Sequence, residues 1–301
     1  MEYEIYKLEL GEIPSFLNKY LDLDIMLRLK DISLLCGMEY ASNYIYNFKY
    51  DISRFDHSLN TALITWNLTH SKKYTLASLF HDASSPTFSH VVDYMNGDFI
   101  KQESTEYMLV NILTSSDKLK YLLSLDNLEV GDILDFKKYS VVDLKRPCLC
   151  ADRIENTISS YMGWYGNFNI NDILKVVRSL TLYTNEFNEL EIGFNNTEAA
   201  NIFDNMNNKI NELTHSNEDK YMMILMSNII KKCINLSLIT YEDLYRLTES
   251  ELVDIIVDNL SIDYELNDMW YKFTNIKYIN QEQKPKIKER VIKPLINGKR
   301  L

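Results

Sequence analysis

Four side chains between residues 57 and 152 have the types and spacing to hold one metal ion. They are His57, the adjacent pair His81-Asp82, and Asp152. Two imidazoles and two carboxylates make a mixed nitrogen and oxygen set. It suits one borderline divalent cation such as manganese, iron, cobalt, nickel or zinc, with magnesium left open. Four protein ligands leave positions on a six-coordinate metal for water or a phosphate oxygen, and such a metal acidifies water and polarises a phosphoryl group. Neighbours inside a helix point about 100° apart, so His81 and Asp82 can share an ion only where a helix is ending. Ser84, Ser85 and Pro86 supply that ending.

The elements that must position these groups follow from apolar spacing. Leu59, Ala62, Leu63 and Trp66 fall at i, i+3, i+4 and i+7, so His57 opens a helix with one buried stripe. Leu76, Leu79 and Phe80 carry a second helix into the His81-Asp82 pair. Arg146-Pro147 marks a break before a helix on which Ala151, Ile154, Ile158 and Tyr161 form the core stripe, while Asp152 and Glu155 face elsewhere, as a ligand must. Residues 4–10 suggest a short strand, 28–36 an amphipathic helix, 104–113 another helix, and 182–194 a strand pair. Residues 163–171 are the best hinge between two lobes. Long helices follow around Met222 to Cys233 and Leu244 to Val257, where the methionines read as core filler.

The pattern His57, then His81-Asp82, then Asp152 resembles that of the HD-domain metal-dependent phosphohydrolases. Two flanking stretches sharpen the resemblance: Arg28-Leu29 with Ile32, followed by Arg54-Phe55-Asp56-His57-Ser58-Leu59, and Phe88-Ser89-His90 with Asp93. Both are similar to the deoxynucleotide triphosphohydrolase branch, over residues 28–165, with weaker similarity near Arg290 to Leu295. The resemblance implies a mostly α fold, an HD helical core with a helical C-terminal lobe and a few short strands. Residues 1–165 would form the metal-binding core, and 166–301 a lobe with a basic tail packed on it.

Roles follow from the same resemblance. His57, His81, Asp82 and Asp152 would hold the metal. Arg54 and Arg153 would face substrate phosphate, best in bidentate geometry. His90, oriented by Asp93, would transfer a proton. Departures are as informative. Ser84 and Ser85 stand where the branch has glycine and histidine, and Gln102-Glu103 where it has a catalytic histidine and glutamate. Leu34 replaces a sugar-reading glutamine, and Asn156 and Ser160 replace a substrate tyrosine and aspartate. Glutamine cannot titrate, so acid or base work would fall on His90, Asp93 or Glu103. The leading expectation is a phosphohydrolase acting on a nucleotide or related phosphorylated small molecule. Its rival is a catalytically reduced nucleotide sensor or interaction module. A di-iron oxygenase is weaker, because it needs additional histidines and only His90 is available.

Composition sets outer bounds. The chain has 301 residues, 46% hydrophobic and 25% charged, an ordinary globular balance. No apolar run reaches the ~18 residues of a membrane span, and Met1-Glu2-Tyr3-Glu4 begins acidic, unlike a signal peptide. Four cysteines do not make a disulfide framework, so a cytoplasmic setting is expected. Buried structural roles are expected for Cys148 and Cys150, and none is assigned to His70 or His215. The net charge of −11 argues against nucleic acid as a partner. From Gln281 to Leu301, seven Lys or Arg face Glu282 and Glu289, a net of +5. That run reads as a solvated or subunit-packing tail. A homodimer is the expected assembly.

Overall fold

The computed structural model describes residues 9–300. The strand expected at residues 4–10 lies mostly outside them, and Glu9 and Leu10 are helical. The chain is mostly α-helical with one small sheet.

Two one-turn helices, α1 (Asn18–Leu21) and α2 (Asp24–Leu27), lead into a 3-10 turn at Arg28–Asp31. The helix expected over residues 28–36 does not form. Its backbone donors and acceptors are drawn instead into pairing with the segment before the next helix. Leu34 N donates to Ile52 O at 2.8 Å and Arg54 N to Ile32 O at 2.7 Å. Helix α3 (Arg54–Thr69) follows, capped by Ser53, whose hydroxyl accepts from Asp56 N. Its residues from His57 to Thr65 are all buried, which makes it the central helix. Helix α4 (Lys72–Phe80) packs against it and stops immediately before His81. The chain turns through 81–90 into α5 (Val91–Asn96).

A peripheral group follows: α6 (Leu109–Ser115), α7 (Asp117–Leu125) and α8 (Val130–Leu134). The helix expected over 104–113 is a 3-10 turn at Ser104–Glu106 followed by α6. Helix α9 (Ala151–Tyr165) then packs on α3 and ends at Gly166 in the left-handed conformation. Beyond it lie α10 (Ile170–Arg178), the hairpin β1 (Leu180–Thr184) and β2 (Leu190–Phe194), and then α11 (Thr197–Thr214), α12 (Asn217–Asn235), α13 (Glu249–Asp258) and α14 (Tyr264–Asn275). The apolar clusters take residues from both sides of 165/166. One joins Met38, Phe88 and Val91 to Met226, Ile229 and Phe273, and another joins Ile64 and Ile154 to Val176, Phe203 and Ile296.

The tail expected to be solvated or to pack a subunit keeps Lys284, Lys286, Lys293 and Lys299 exposed, but its last residues pair within the chain. It forms β3 (Leu295–Ile296) and β4 (Lys299–Arg300), and β3 runs parallel to β2. Asn297 and Gly298 both have positive φ, +48° and +76°, the turn that Asn-Gly favours between two paired strands. Arg300 locks this hairpin to the hairpin of β1 and β2, with Nη2 2.6 Å from Glu191 Oε2, a fully buried carboxylate.

Two long-range devices hold the turn through 81–90. Arg28 donates to the carbonyls of Ser85 (2.8 Å), Leu244 (3.1 Å) and Leu247 (2.9 Å). Glu249 Oε1 accepts from Ser33 N and Phe88 N, both at 3.1 Å. Phe88 and Ser89 are themselves held at positive φ, +61° and +47°. The Phe88 ring lies against Gly37, whose φ is +71° and where any Cβ would collide with that ring. Gly37→Ala therefore adds a left-handed backbone penalty to an overpacking cost. A loss of about 2–5 kcal/mol is expected in denaturant unfolding. A loss under about 0.5 kcal/mol would show that Phe88 yields freely.

Candidate metal centre

Three segments bring the four expected ligands together: the first turn of α3 (His57), the turn after α4 (His81 and Asp82) and the first turn of α9 (Asp152). His57 Nε2 lies 3.2 Å from His81 Nε2 and 3.3 Å from Asp152 Oδ1. His81 Nε2 is 3.6 Å from Asp152 Oδ1. Asp82 Oδ2 lies 3.7 Å and 3.8 Å from the two imidazole nitrogens. Atoms that share one ion at about 2.1 Å stand roughly 3.0–3.4 Å apart, so this spacing is close to that of a ligand set.

Hydrogen bonds on the far side of each ring decide what faces the centre. His81 Nδ1 donates to Ser78 O at 2.6 Å, and a carbonyl only accepts, so this nitrogen carries the proton. His57 Nδ1 is bonded to the carboxylate of Glu155. Both Nε2 lone pairs are then directed at the same point as two carboxylate oxygens. Arg54 supplies one donor, to Asp82 Oδ2, but His57, His81 and Asp152 still face one another, and acceptors gathered so closely repel unless a cation lies between them. The protonation tendencies describe the same field. Burial works against charge on His57, but Glu155, Asp152 and Asp82 outweigh it and raise its pKa to about 10. Burial likewise opposes charge on His81, and Asp82 and Asp152 push it up. Burial would raise Asp82, but Arg54 and the imidazoles hold it well below the usual carboxylate range. A divalent ion fits the donor set and the field.

Glu155 was not assigned a role from the sequence, although it shares a face of α9 with Asp152 three residues earlier. It is fully buried and also receives Ser159 Oγ and, at 3.3 Å, Asn60 Nδ2. It fixes the tautomer and the aim of His57. Glu155→Gln should weaken metal binding about 10–100-fold with the fold intact. Titration of the stripped protein with manganese, followed by calorimetry, measures this. An unchanged affinity would reduce Glu155 to a packing role.

His81, Asp82 and Asp152 line a cavity of about 1040 Å³, with His57 behind them. His90 and Glu103 line the same cavity. His90 Nδ1 donates to Asp93 Oδ2 at 2.9 Å, and Asp93 Oδ1 accepts Ser104 N at 2.9 Å. Asp93 thus fixes the ring and leaves Nε2 as its remaining polar atom. Burial lowers the pKa of His90, Asp93 opposes that, and Arg54 and Arg290 reinforce it. Glu103 is exposed at the rim. Gln102 is buried, and its Oε1 accepts from Arg290 Nη2 at 2.9 Å.

The two arginines expected to face phosphate are already engaged. Arg54 is buried, with Nη1 2.5 Å from Asp82 Oδ2 and Nε 3.2 Å from Ser89 Oγ. Arg153 donates to Cys148 O at 2.8 Å and Asp143 Oδ1 at 2.9 Å. Each has a carboxylate nearer than any ligand, a fact that depends on the folded chain. Arg146, Lys288 and Arg290 line the cavity as well, and no site role is expected of any of them from the sequence. Cys150 is fully buried at the start of α9, where burial pushes its thiol up to about 12. A narrower recess opens beside His90, lined by Leu34, Trp164, Met223, Ser160 and Asp219.

The fold and site together define a mostly helical protein whose histidine and aspartate cluster fits a divalent metal. No protein-family model matches the chain. It is 22% identical over 137 residues to the metal-dependent phosphohydrolase cns2 of Cordyceps militaris, covering 44% of this chain and 37% of that protein. It is 25% identical over 136 residues to the uncharacterized protein YdhJ of Bacillus subtilis, covering 44% of this chain and 40% of that one. The chain thus spans about two fifths of the length of these curated relatives. Its fold is similar to the crystal structure of a hypothetical protein from Aquifex aeolicus. The TM-score is 0.52 and the identity 15%, over 84% of this chain and 69% of the other. Among the described residues, no helix is long and apolar enough to cross a membrane.

Proposed function

We propose that this protein is a metal-dependent phosphohydrolase of the HD type, acting on a nucleotide or a related phosphorylated small molecule. The observation that carries this is the convergence of His57, His81 and Asp152, with Asp82 Oδ2 3.7 and 3.8 Å from the two imidazoles, beside a large cavity rich in arginine and lysine. When bound, a divalent metal supplies Lewis acidity to the phosphoryl group and lowers the pKa of water.

The chain's own residues do the rest. His57, His81, Asp82 and Asp152 hold the ion, with Glu155 and Arg54 fixing the first and third of them. Arg54 offsets charge on Asp82 and stands close enough to share its remaining donors with a phosphate. His90, held by Asp93, moves a proton at Nε2, and Glu103 lines the same cavity at its rim. The recess beside His90 takes the organic part of the substrate. Its Leu34, Asn156 and Ser160 stand where the resembling enzymes carry the groups that read the substrate.

The test is turnover of a nucleotide panel by protein loaded with manganese or cobalt, with products separated by chromatography. We expect metal-dependent release of phosphate, pyrophosphate or triphosphate that a chelator abolishes. Ribo- and deoxyribonucleotides should differ by no more than about tenfold, because strong discrimination needs polar groups that the wrong sugar leaves unpaired. Metal-loaded protein that binds nucleotides without turnover would favour the sensor reading.

A further inference from the structure

Lys284, Lys286, Lys293 and Lys299 stay exposed, but Lys288 and Arg290 of the basic end do not. Three separate hydrogen bonds lay residues 288–293 along the cavity wall. Lys288 N donates to Phe99 O at 2.9 Å, Asn211 Nδ2 to Arg290 O at 3.2 Å, and Lys293 N to Pro147 O at 2.9 Å. This brings Lys288 and Arg290 to the same cavity as Arg146, which stands just before Pro147.

None of these three cations has a carboxylate partner among the described residues. Lys288 Nζ donates to the backbone carbonyl of Lys101 at 2.8 Å, and Arg290 Nη2 to the neutral side chain of Gln102 at 2.9 Å. Arg146 Nη1 is buried with no hydrogen-bond partner among the described residues. A buried unpartnered donor is costly, and gathered like charges add to that cost; Asp152 attracts all three but forms an ion pair with none of them. Burial, with repulsion from Arg290 and Arg153, pushes Arg146 down to about 10. Burial also lowers Arg290 and Lys288. Arg54 and Arg153 differ sharply, since each is neutralised by an aspartate.

We propose that Arg146, Lys288 and Arg290 form an anion subsite beside the metal cluster, so that the substrate carries a second phosphate or equivalent anionic group beyond the one held at the metal. This rests on the reading that a phosphoryl group binds at His57, His81, Asp82 and Asp152. It makes the C-terminal segment part of the substrate site and selects diphosphate or polyphosphate compounds over monophosphates. Arg146 and Arg290 are suited to the task because each guanidinium keeps several directed donors for phosphate oxygens.

The test is calorimetric binding of inorganic pyrophosphate and orthophosphate to manganese-loaded protein freed of excess metal, with metal content measured before and after. Wild-type protein should bind pyrophosphate at least about tenfold more tightly than orthophosphate, the value of one charge-assisted contact. In Arg290→Gln, and independently in Arg146→Gln, the ratio should fall to within about threefold while orthophosphate binding and metal content hold. Arg290→Lys should keep most of the preference. An unchanged ratio in both glutamine variants, folded and metal-loaded, would overturn the subsite and leave the phosphohydrolase reading standing. Failure of the wild type to bind either anion would overturn both.

Discussion

Purified His57→Ala protein should contain less than about a tenth of the metal found in wild type and should show no metal-dependent turnover. Two effects add. The ion loses one of four protein ligands, and disturbing even an outer partner of a ligand costs about 10–100-fold in affinity. The Glu155 carboxylate also loses the imidazole it is bonded to inside a fully buried pocket. An unpaired buried acceptor costs about 1–3 kcal/mol, so thermal stability should fall as well. Circular dichroism establishes folding, and elemental analysis by mass spectrometry gives the metal content. Wild-type metal in a folded His57→Ala protein would remove the assignment. Asp152→Asn separates charge from shape: it keeps the side chain's volume and one oxygen, and it should lose metal less completely than His57→Ala.

His90→Gln should lower kcat by about 10²–10⁴ while leaving metal content unchanged, the range for losing a group that transfers a proton. The pH profile distinguishes this from a structural role. Burial, reinforced by Arg54 and Arg290, holds the folded pKa of His90 below the ordinary histidine value, so the ring stays neutral further into acid. If neutral His90 accepts the proton, the acidic limb of kcat/KM in wild type should have its midpoint below about 6.5. Activity would be lost as pH falls through it, and His90→Gln should flatten that limb. Asp93→Asn should move the same midpoint lower, because it removes the carboxylate that favours the imidazolium, and should cost less in kcat. Unchanged turnover in folded, metal-loaded His90→Gln would leave His90 a loop residue and turn attention to Glu103.

The chain's local pattern determined a good deal. Helical spacing from Leu59 to Trp66, and from Ala151 to Tyr161, placed His57 and Asp152 on helices, and both lie in the first turns of α3 and α9. The break before Pro86 placed His81 and Asp82 past a helix end, where adjacent side chains can converge. His90 and Asp93 are three residues apart, and their contact needs only one turn of backbone. These are short-range facts, and residue type and spacing suffice for them.

Tertiary structure decided which groups own which charges. Glu155 is one more helical glutamate until α9 packs on α3 and sets it behind His57. Arg54 was free to face phosphate until the turn after α4 put Asp82 against it. Arg28 and Glu249 fix the turn through 81–90 from opposite ends of the sequence. The basic run after Gln281 looked solvated because charge alone says nothing about where an extended segment lies. The Asn297-Gly298 turn was the local sign that this segment pairs. Only the sheet it joins, and its hydrogen bonds to residues 99, 211 and 147, carry Lys288 and Arg290 to the cavity. A cation's function depends on its nearest carboxylate, and that distance is set by contacts between residues far apart in the chain.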